Sequence, residues 1–202
     1  MGLYAMKWIA IVVLLSTLNA RGFSRDEFAE GYIIPKNADT LACKVKIPKD
    51  FGHFNELYLF NSVTVMDSSG RKITFGPKDL EGYGFVYQSR KYTYVSKRVD
   101  EDGTLMFVWP VNLGKRVNEY YYYNFNSSDL RKGSWGGRAD VYVLEDAAKE
   151  TISITRGGSL ANTYKQQLRN FFENDKQLLE LIASEVNDFH DISRFVKAAN
   201  RL

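Results

Sequence analysis

The chain has 202 residues, enough for one domain or for one domain with a small appendage. Hydrophobic residues make up 45% and charged residues 25%, a composition typical of a folded core and not of disorder. The 27 Lys and Arg against 24 Asp and Glu are too evenly balanced for a dedicated nucleic-acid-binding protein. A single Cys excludes an internal disulfide framework and a Cys-rich zinc site, and two His leave little material for a metal site. We therefore expect no metal, no cofactor and no nucleic-acid partner.

The first 20 residues have the pattern of a secretory signal peptide. Lys7 is the one charged residue among them, and it precedes an apolar run that begins at Trp8 and a small residue at Ala20. The run is too short for a membrane span, which needs about 20 apolar residues. We predict cleavage after Ala20, with Gly22 as the alternative site, and a mature chain without a transmembrane helix in the periplasm or cell envelope. An uncleaved N-terminal anchor is the competing interpretation.

Residues 31–156 show short alternating or apolar runs separated by turn signals, which predict a β-rich domain. Asp67–Gly70 and Asp100–Gly103 each place Asp at the start and Gly at the end of a tight turn. Pro110 should end its strand or force a bulge in it. The spacing predicts an antiparallel meander, a partial barrel or a sandwich. The predicted strands are 31–34, 41–47, 57–66, 72–75, 82–87, 92–98, 105–111, 118–125, 139–144 and 151–155.

Cys43 lies in an alternating segment that places Leu41, Cys43, Val45 and Ile47 on one face. A nucleophilic Cys would need a partly open, electropositive pocket and a basic partner. We interpret Cys43 as a packing residue of the core, since free Cys behaves as a small hydrophobic side chain.

Residues 159–202 change to a helical period after Gly157–Gly158 and predict a small helical subdomain. Asp175 is a candidate N-cap for the second of three short helices, and Asp188 or Asp191 for the third. Helices this short are marginal alone, so they should pack on each other or on the sheet. The predicted fold class is thus α+β and mainly β. The apolar side chains expected to be buried in this segment are Phe171, Phe172, Leu179, Ile182, Phe195 and Val196.

The order of several short motifs resembles an uncharacterised family of exported Bacteroidetes-type proteins. The matching residues are Gly31-Tyr32-Ile33-Ile34 with Asp39-Thr40-Leu41, then Val63–Asp67, Gly70, Arg71-Lys72, Phe75, Pro77, Asp79-Leu80 and Gly82-Tyr83, and finally Leu168, Phe171-Phe172, Asp175, Leu179, Asp191-Ile192, Phe195-Val196 and Asn200. The chain departs from the family pattern at Ala38, Ala42 and Ala199. The family has no assigned activity, so the resemblance implies export and a β-rich layout with a helical tail.

Catalytic motifs are not recognisable in the sequence. It contains no Gly-x-Ser-x-Gly elbow, no His-Glu-x-x-His and no phosphate-binding Gly-rich loop, and no pattern brings His53 or His190 to Cys43. The Gly-rich segment Gly133–Gly137 is interpreted as a surface loop. A small periplasmic hydrolase that uses acidic residues stays open as an alternative, because paired carboxylates need no local motif.

The surplus of tyrosine is the best indication of binding. In the strand predicted over 118–125, Tyr120 and Tyr122 share a face with amide side chains, and we expect this face to be exposed. Tyr120, Tyr122 and the nearby Trp135 are therefore the candidate ligand-binding residues, since aromatic rings beside hydrogen-bonding groups suit a sugar or a peptide. The alternative is that these tyrosines only cover a neighbouring strand. The sequence thus predicts an exported, non-enzymatic interaction module of the cell envelope, with a carbohydrate, a peptide or an envelope protein as partner.

Overall fold

The computed structural model describes residues 26–99, 103–125, 138–155 and 163–202. The predicted signal peptide and Trp135 lie outside these residues. The strands are β1 (Phe28–Pro35), β2 (Leu41–Lys46), β3 (Lys49–Asp50), β4 (His53–Phe54), β5 (Val63–Met66), β6 (Lys72–Phe75), β7 (Leu80–Tyr87), β8 (Arg90–Arg98), β9 (Leu105–Asn112), β10 (Val117–Phe125), β11 (Arg138–Asp146) and β12 (Thr151–Thr155).

Ten of these strands form one antiparallel sheet in the order β12-β11-β10-β9-β8-β7-β1-β2-β5-β6. Strands β7 to β12 are a simple meander, and β1 joins it to the second group by pairing with β7 on one side and β2 on the other. The sheet is open, and the short hairpin β3–β4 stands apart from it. The prediction of a mainly β, antiparallel fold with a small C-terminal helical segment is confirmed.

The junction between β1 and β7 depends on Gly31. A Cβ atom at Gly31 would overlap the backbone carbonyl oxygen of Gly84, whereas one at Gly84 would meet only the outer end of the Tyr32 side chain, which can turn aside. A side chain at Gly31 would therefore push the two strands apart. The Gly31 of the N-terminal motif is thus explained by close backbone approach.

Local turn chemistry follows the sequence prediction at the β5–β6 hairpin. The Asp67 carboxylate accepts hydrogen bonds from the backbone N–H groups of Ser69 and Arg71, both at 2.9 Å. Gly70 adopts a φ of +82°, a conformation that favours glycine. The Asp at the start and the Gly at the end of this turn therefore have the roles expected of them.

The segment 57–66 was predicted as one strand, and this prediction is wrong. A 3₁₀ helix over Glu56–Phe60 precedes β5, and the Asn55 side chain caps it by accepting a hydrogen bond from the N–H of Leu57. The segment is apolar as predicted, but its first half forms a 3₁₀ helix that packs on the sheet instead of a strand within it. Phe60 is fully buried and lies edge-on to the rings of Tyr94 and Tyr122. The 3₁₀ helix thereby covers β9 and β10 on one side of the sheet.

We call this side of β10 and β11 the inner face; it carries Tyr120, Tyr122 and Val143. The opposite side, which we call the helix face, carries Val117 and Leu144 and is covered by the C-terminal segment. That segment contains α1 (Thr163–Phe171), α2 (Lys176–Glu185), a 3₁₀ helix (Phe189–Asp191) and α3 (Ile192–Ala199).

The C-terminal helices begin and pack much as their sequence indicates. Asp175 caps α2 by accepting from the N–H of Leu178, and Asp188 caps the 3₁₀ helix before α3. Of the side chains expected to be buried, Phe172, Ile182, Phe195 and Val196 are buried, whereas Phe171 and Leu179 are half-buried. These apolar side chains join those of β10, β11 and β12 in one core cluster.

The end of α3 is tied to the start of β10 by polar contacts. The Asn200 side-chain oxygen accepts from the backbone N–H groups of Arg116 and Val117, and its amide donates to the carbonyl oxygen of Val117. Arg116 also forms a salt bridge of 2.6 Å with Asp175. In the part of the chain that the structure describes, no helix is both long and apolar enough to cross a membrane.

Cys43 is less deeply placed than expected. Its side chain is half-buried against the inner core, while Leu41 on the same face is 51% exposed and Val45 is fully buried. The alternating pattern is correct, but the face emerges from the core towards the start of β2. Burial raises the pKa of the Cys43 thiol, and Glu30 adds to that effect, which is the opposite of an activated nucleophile.

Candidate functional site

The predicted binding face of β10 is buried. Tyr120 is 4% exposed and Tyr122 is 5% exposed, so the expectation that they form an exposed platform is wrong. Period two correctly places both on one face, but the 3₁₀ helix Glu56–Phe60 and the neighbouring strands cover it. The third candidate, Trp135, lies outside the described residues.

An aromatic cleft instead opens on the helix face, between the sheet and the segment that leads into α3. Its volume is about 570 Å³, within the range of small-molecule sites. The cleft lies over β9, β10 and β11 and extends to the beginning of α3. Its lining residues are Trp109, Pro110, Val111, Tyr121, Asp140, Tyr142, Phe189, His190 and Ser193.

Strand register explains the aromatic wall of the cleft. Tyr121 is the direct partner of Trp109 on β9 and of Tyr142 on β11, so three aromatic side chains lie side by side across three strands. The rings of Tyr121 and Tyr142 are 5.5 Å apart, and Phe189 extends the row at 5.0 Å from Tyr142. Such a row presents both flat and edge surfaces to a ligand.

A bulge at Pro110 shapes one end of the cleft. Glu119 pairs with Asn112 and Tyr120 pairs with Pro110, which leaves Val111 as an extra residue in β9. Proline has no N–H to donate to the ladder, so the expected disruption takes the form of a bulge inside the strand. Val111 is 45% exposed as a result and borders the cleft.

Polar groups of three kinds reach the cleft. The Tyr121 hydroxyl donates a hydrogen bond of 2.5 Å to the Asp140 carboxylate. The Ser193 hydroxyl, at the start of α3, donates to Glu119, which lies beneath the cleft on the same face of β10. His190 is exposed beside Phe189. Carboxylate, hydroxyl and imidazole groups therefore alternate with aromatic rings around the opening.

Glu119 is fully buried without a salt bridge among the described residues. Its other carboxylate oxygen accepts from the Asn112 amide. Burial raises the pKa of Glu119, and the hydrogen bonds from Ser193 and Asn112 and the charge of Lys197 offset only part of this effect.

Glu145 is the buried carboxylate of the inner face, and it has a full set of donors. Lys97 donates to it at 2.6 Å, Asn118 at 2.8 Å and Tyr120 at 2.9 Å. Burial alone would raise the pKa of Glu145, but these bonds outweigh it and the pKa lies below its ordinary value. This network holds three strands together and uses the hydroxyl of the predicted site residue Tyr120, so its role is structural.

Asp140, Tyr142 and Ser193 could not be found by sequence reasoning. They lie on β11 and α3, and nothing in their local patterns relates them to Tyr121. The described ranges contain no cluster of three or more His, Cys, Asp or Glu side chains placed to hold a metal ion. The chain matches no protein-family model, and no curated protein or solved structure is significantly similar to it.

Proposed function

We propose that the protein is an exported binding module of the cell envelope and that its cleft takes a carbohydrate. The observation that carries this proposal is the row of Trp109, Tyr121 and Tyr142 on adjacent strands, with Asp140 and Ser193 at its edges. Export is supported by the signal-peptide pattern of residues 1–20 and by the resemblance to an exported family.

The chemistry of the cleft suits a sugar. The C–H faces of a pyranose ring are apolar and pack against aromatic rings, while its hydroxyls need hydrogen-bond partners around the ring edge. The Asp140 carboxylate lies at this edge, where it accepts from the Tyr121 hydroxyl. Ser193 donates to Glu119 and also makes a side-chain hydrogen bond with Tyr142, so its hydroxyl belongs to the polar rim of the cleft.

A hydrolase with paired carboxylates is less well supported. Glycosidases place two carboxyl groups across the scissile bond, about 5 to 9.5 Å apart. Asp140 is the one carboxylate among the described residues that line the cleft, and Glu119 lies behind Ser193. One lining carboxylate supports binding more directly than bond cleavage.

Binding can be tested by titrating the purified protein with soluble oligosaccharides and following tryptophan fluorescence, since Trp109 lines the cleft. Val111→Glu places a bulky charge at the opening, on a side chain that is already 45% exposed. We expect this change to weaken binding of a neutral sugar at least about tenfold, equivalent to ~1.4 kcal/mol.

Leu113→Glu is the matched control, because Leu113 is 65% exposed and does not line the cleft. It should leave the affinity unchanged. A protein that binds no oligosaccharide, or that binds equally well in both variants, would contradict the proposed function.

A further inference from the structure

We propose that the sugar taken by the cleft is acidic and that Arg90 binds its carboxylate. This inference rests on the proposed function and names the class of ligand for the same site. It follows from the position of Arg90, from its interactions and from the chemistry of the guanidinium group.

Arg90 is held beside the aromatic wall by the turn that precedes it. Tyr87 pairs with Arg90 across a two-residue turn, Gln88-Ser89, in which both residues have left-handed φ angles of 50° and 63°. The Arg90 guanidinium lies 5.2 Å from the ring centre of Trp109 and 5.3 Å from that of Tyr92. Arg90 is exposed and is not itself a lining residue, but its guanidinium contacts the ring of Trp109, which does line the cleft.

The interactions of Arg90 differ from those of three other arginines. Arg71, Arg116 and Arg194 each form a salt bridge with a nearby carboxylate. Within the described parts of the chain, Arg90 contacts two aromatic rings and forms neither a salt bridge nor a hydrogen bond. Its positive charge is therefore not neutralised by a neighbouring side chain.

Ring contacts do not use up the hydrogen-bonding capacity of a guanidinium. The two rings contact the cation electrostatically, and its N–H donors form a planar fork whose geometry matches a carboxylate. A lysine here could supply the charge but not the two parallel hydrogen bonds. The group most complementary to this edge is a planar anion such as the carboxylate of a uronic acid.

The two ends of the site then bind different parts of one sugar unit. The ring would stack on Trp109, the carboxylate would pair with Arg90, and hydroxyls would donate to Asp140. Asp140 already accepts from Tyr121, as a carboxylate does when it serves as a hydroxyl acceptor. A neutral sugar would make the stacking and hydroxyl contacts but would leave Arg90 without its partner.

The test compares acidic oligosaccharides with their neutral esters. Tetragalacturonate and tetramannuronate are titrated against the purified protein beside their fully methyl-esterified forms, which keep the rings and lose the charge. We expect at least one acid to bind about tenfold or more tightly than its ester, and the difference to shrink at high salt.

Three variants assign the effect to Arg90. Arg90→Gln should make the acid and its ester bind equally, and Arg90→Lys should recover only part of the preference. Lys91→Gln removes the same charge from the adjacent exposed residue and should leave the preference unchanged.

The outcomes separate this inference from the proposed function. If neutral sugars bind in a manner sensitive to Val111→Glu while neither acid is preferred, the inference is overturned and the proposed function stands. If an acid is preferred equally in the wild type and in Arg90→Gln, Arg90 is not its ligand. If no sugar of either kind binds, the proposed function itself fails.

Discussion

The inner face and the helix face of β10 and β11 each bury one glutamate, and the two carboxylates are stabilised differently. Glu145 is 4% exposed and accepts hydrogen bonds from Lys97, Asn118 and Tyr120. Glu119 is fully buried and accepts hydrogen bonds from two neutral side chains, Ser193 and Asn112. Burial alone would raise the pKa of both, yet the pKa of Glu145 ends below its ordinary value and that of Glu119 above it.

The comparison distinguishes a buried carboxylate that stabilises the fold, that of Glu145, from one that lies beside the cleft, that of Glu119. A buried carboxylate with a close cationic partner is compensated within the fold. A buried carboxylate held by neutral donors keeps a raised pKa, and groups with perturbed pKa values concentrate near binding and catalytic sites. Glu119 lies directly beneath the aromatic cleft and reaches it through Ser193, which agrees with this distinction.

The largest effect should come from removing the cation of the inner face. Lys97→Met leaves Glu145 buried without its closest positive partner and should lower the free energy of unfolding by about 3 kcal/mol at neutral pH. Urea unfolding at pH 7 measures the change.

Lys149→Met is the control for that measurement. Lys149 is 3.9 Å from the same carboxylate but has a side chain that is 72% exposed, so its removal should cost about 0.5 kcal/mol or less. Equal losses in the two variants would show that Lys97 does not have the special role assigned to it.

A pair of glutamate-to-glutamine variants should respond to pH in opposite directions. The lowered pKa of Glu145 means that its charged form contributes stability above the ordinary glutamate pKa of 4.5, and that this contribution is lost as the pH falls through the lower, folded-state value. The raised pKa of Glu119 means that ionisation costs stability as the pH rises from 4.5 through the higher, folded-state value.

Glu145→Gln should therefore be less stable than the wild type at pH 7, with a loss that shrinks below pH 4.5. Glu119→Gln should be more stable than the wild type at pH 7, with a gain that disappears towards pH 4.5. Thermal melts between pH 3 and pH 8 provide the comparison. Parallel pH profiles for the two variants would contradict the opposite pKa shifts.

The two faces of β10 and β11 also show which features the sequence could predict and which it could not. Most strands, the Asp67 turn and the Asp175 cap depend on residues close together in the chain. Apart from 57–66, the predicted strands lie within about three residues of observed ones. Which face of β10 is covered depends on the 3₁₀ helix Glu56–Phe60 and on α3, both far from β10 in sequence. The alternation of side chains along β10 correctly placed Tyr120 and Tyr121 on opposite faces. It could not predict which elements pack over each face.

The cleft could not be predicted from the sequence for the same reason. Its lining comes from three strands, the 3₁₀ helix Phe189–Asp191 and the start of α3, and each contributes residues that are ordinary in their local context. The short apolar segment before β5 was also ambiguous, because a run of this length fits a strand or a buried turn of helix equally well. Long-range contacts decide between a strand and a helical turn for such a run, and the periodicity of the sequence does not reveal these contacts.

The smallest effect should come from removing one hydroxyl from each face. Tyr120→Phe deletes a buried hydrogen bond to the charged Glu145 and should lower the free energy of unfolding by about 1.5 kcal/mol, without changing sugar affinity. Tyr121→Phe removes the bond to Asp140 at the half-buried cleft, so it should cost about 0.5 kcal/mol and weaken sugar binding severalfold instead. The two variants remove the same atom from adjacent residues of one strand, so differences in overall composition cannot explain a divergence. Urea unfolding and fluorescence titration on the same preparations decide the outcome. If Tyr120→Phe reduces affinity more than Tyr121→Phe, the binding site lies on the inner face, and its assignment to the cleft is wrong.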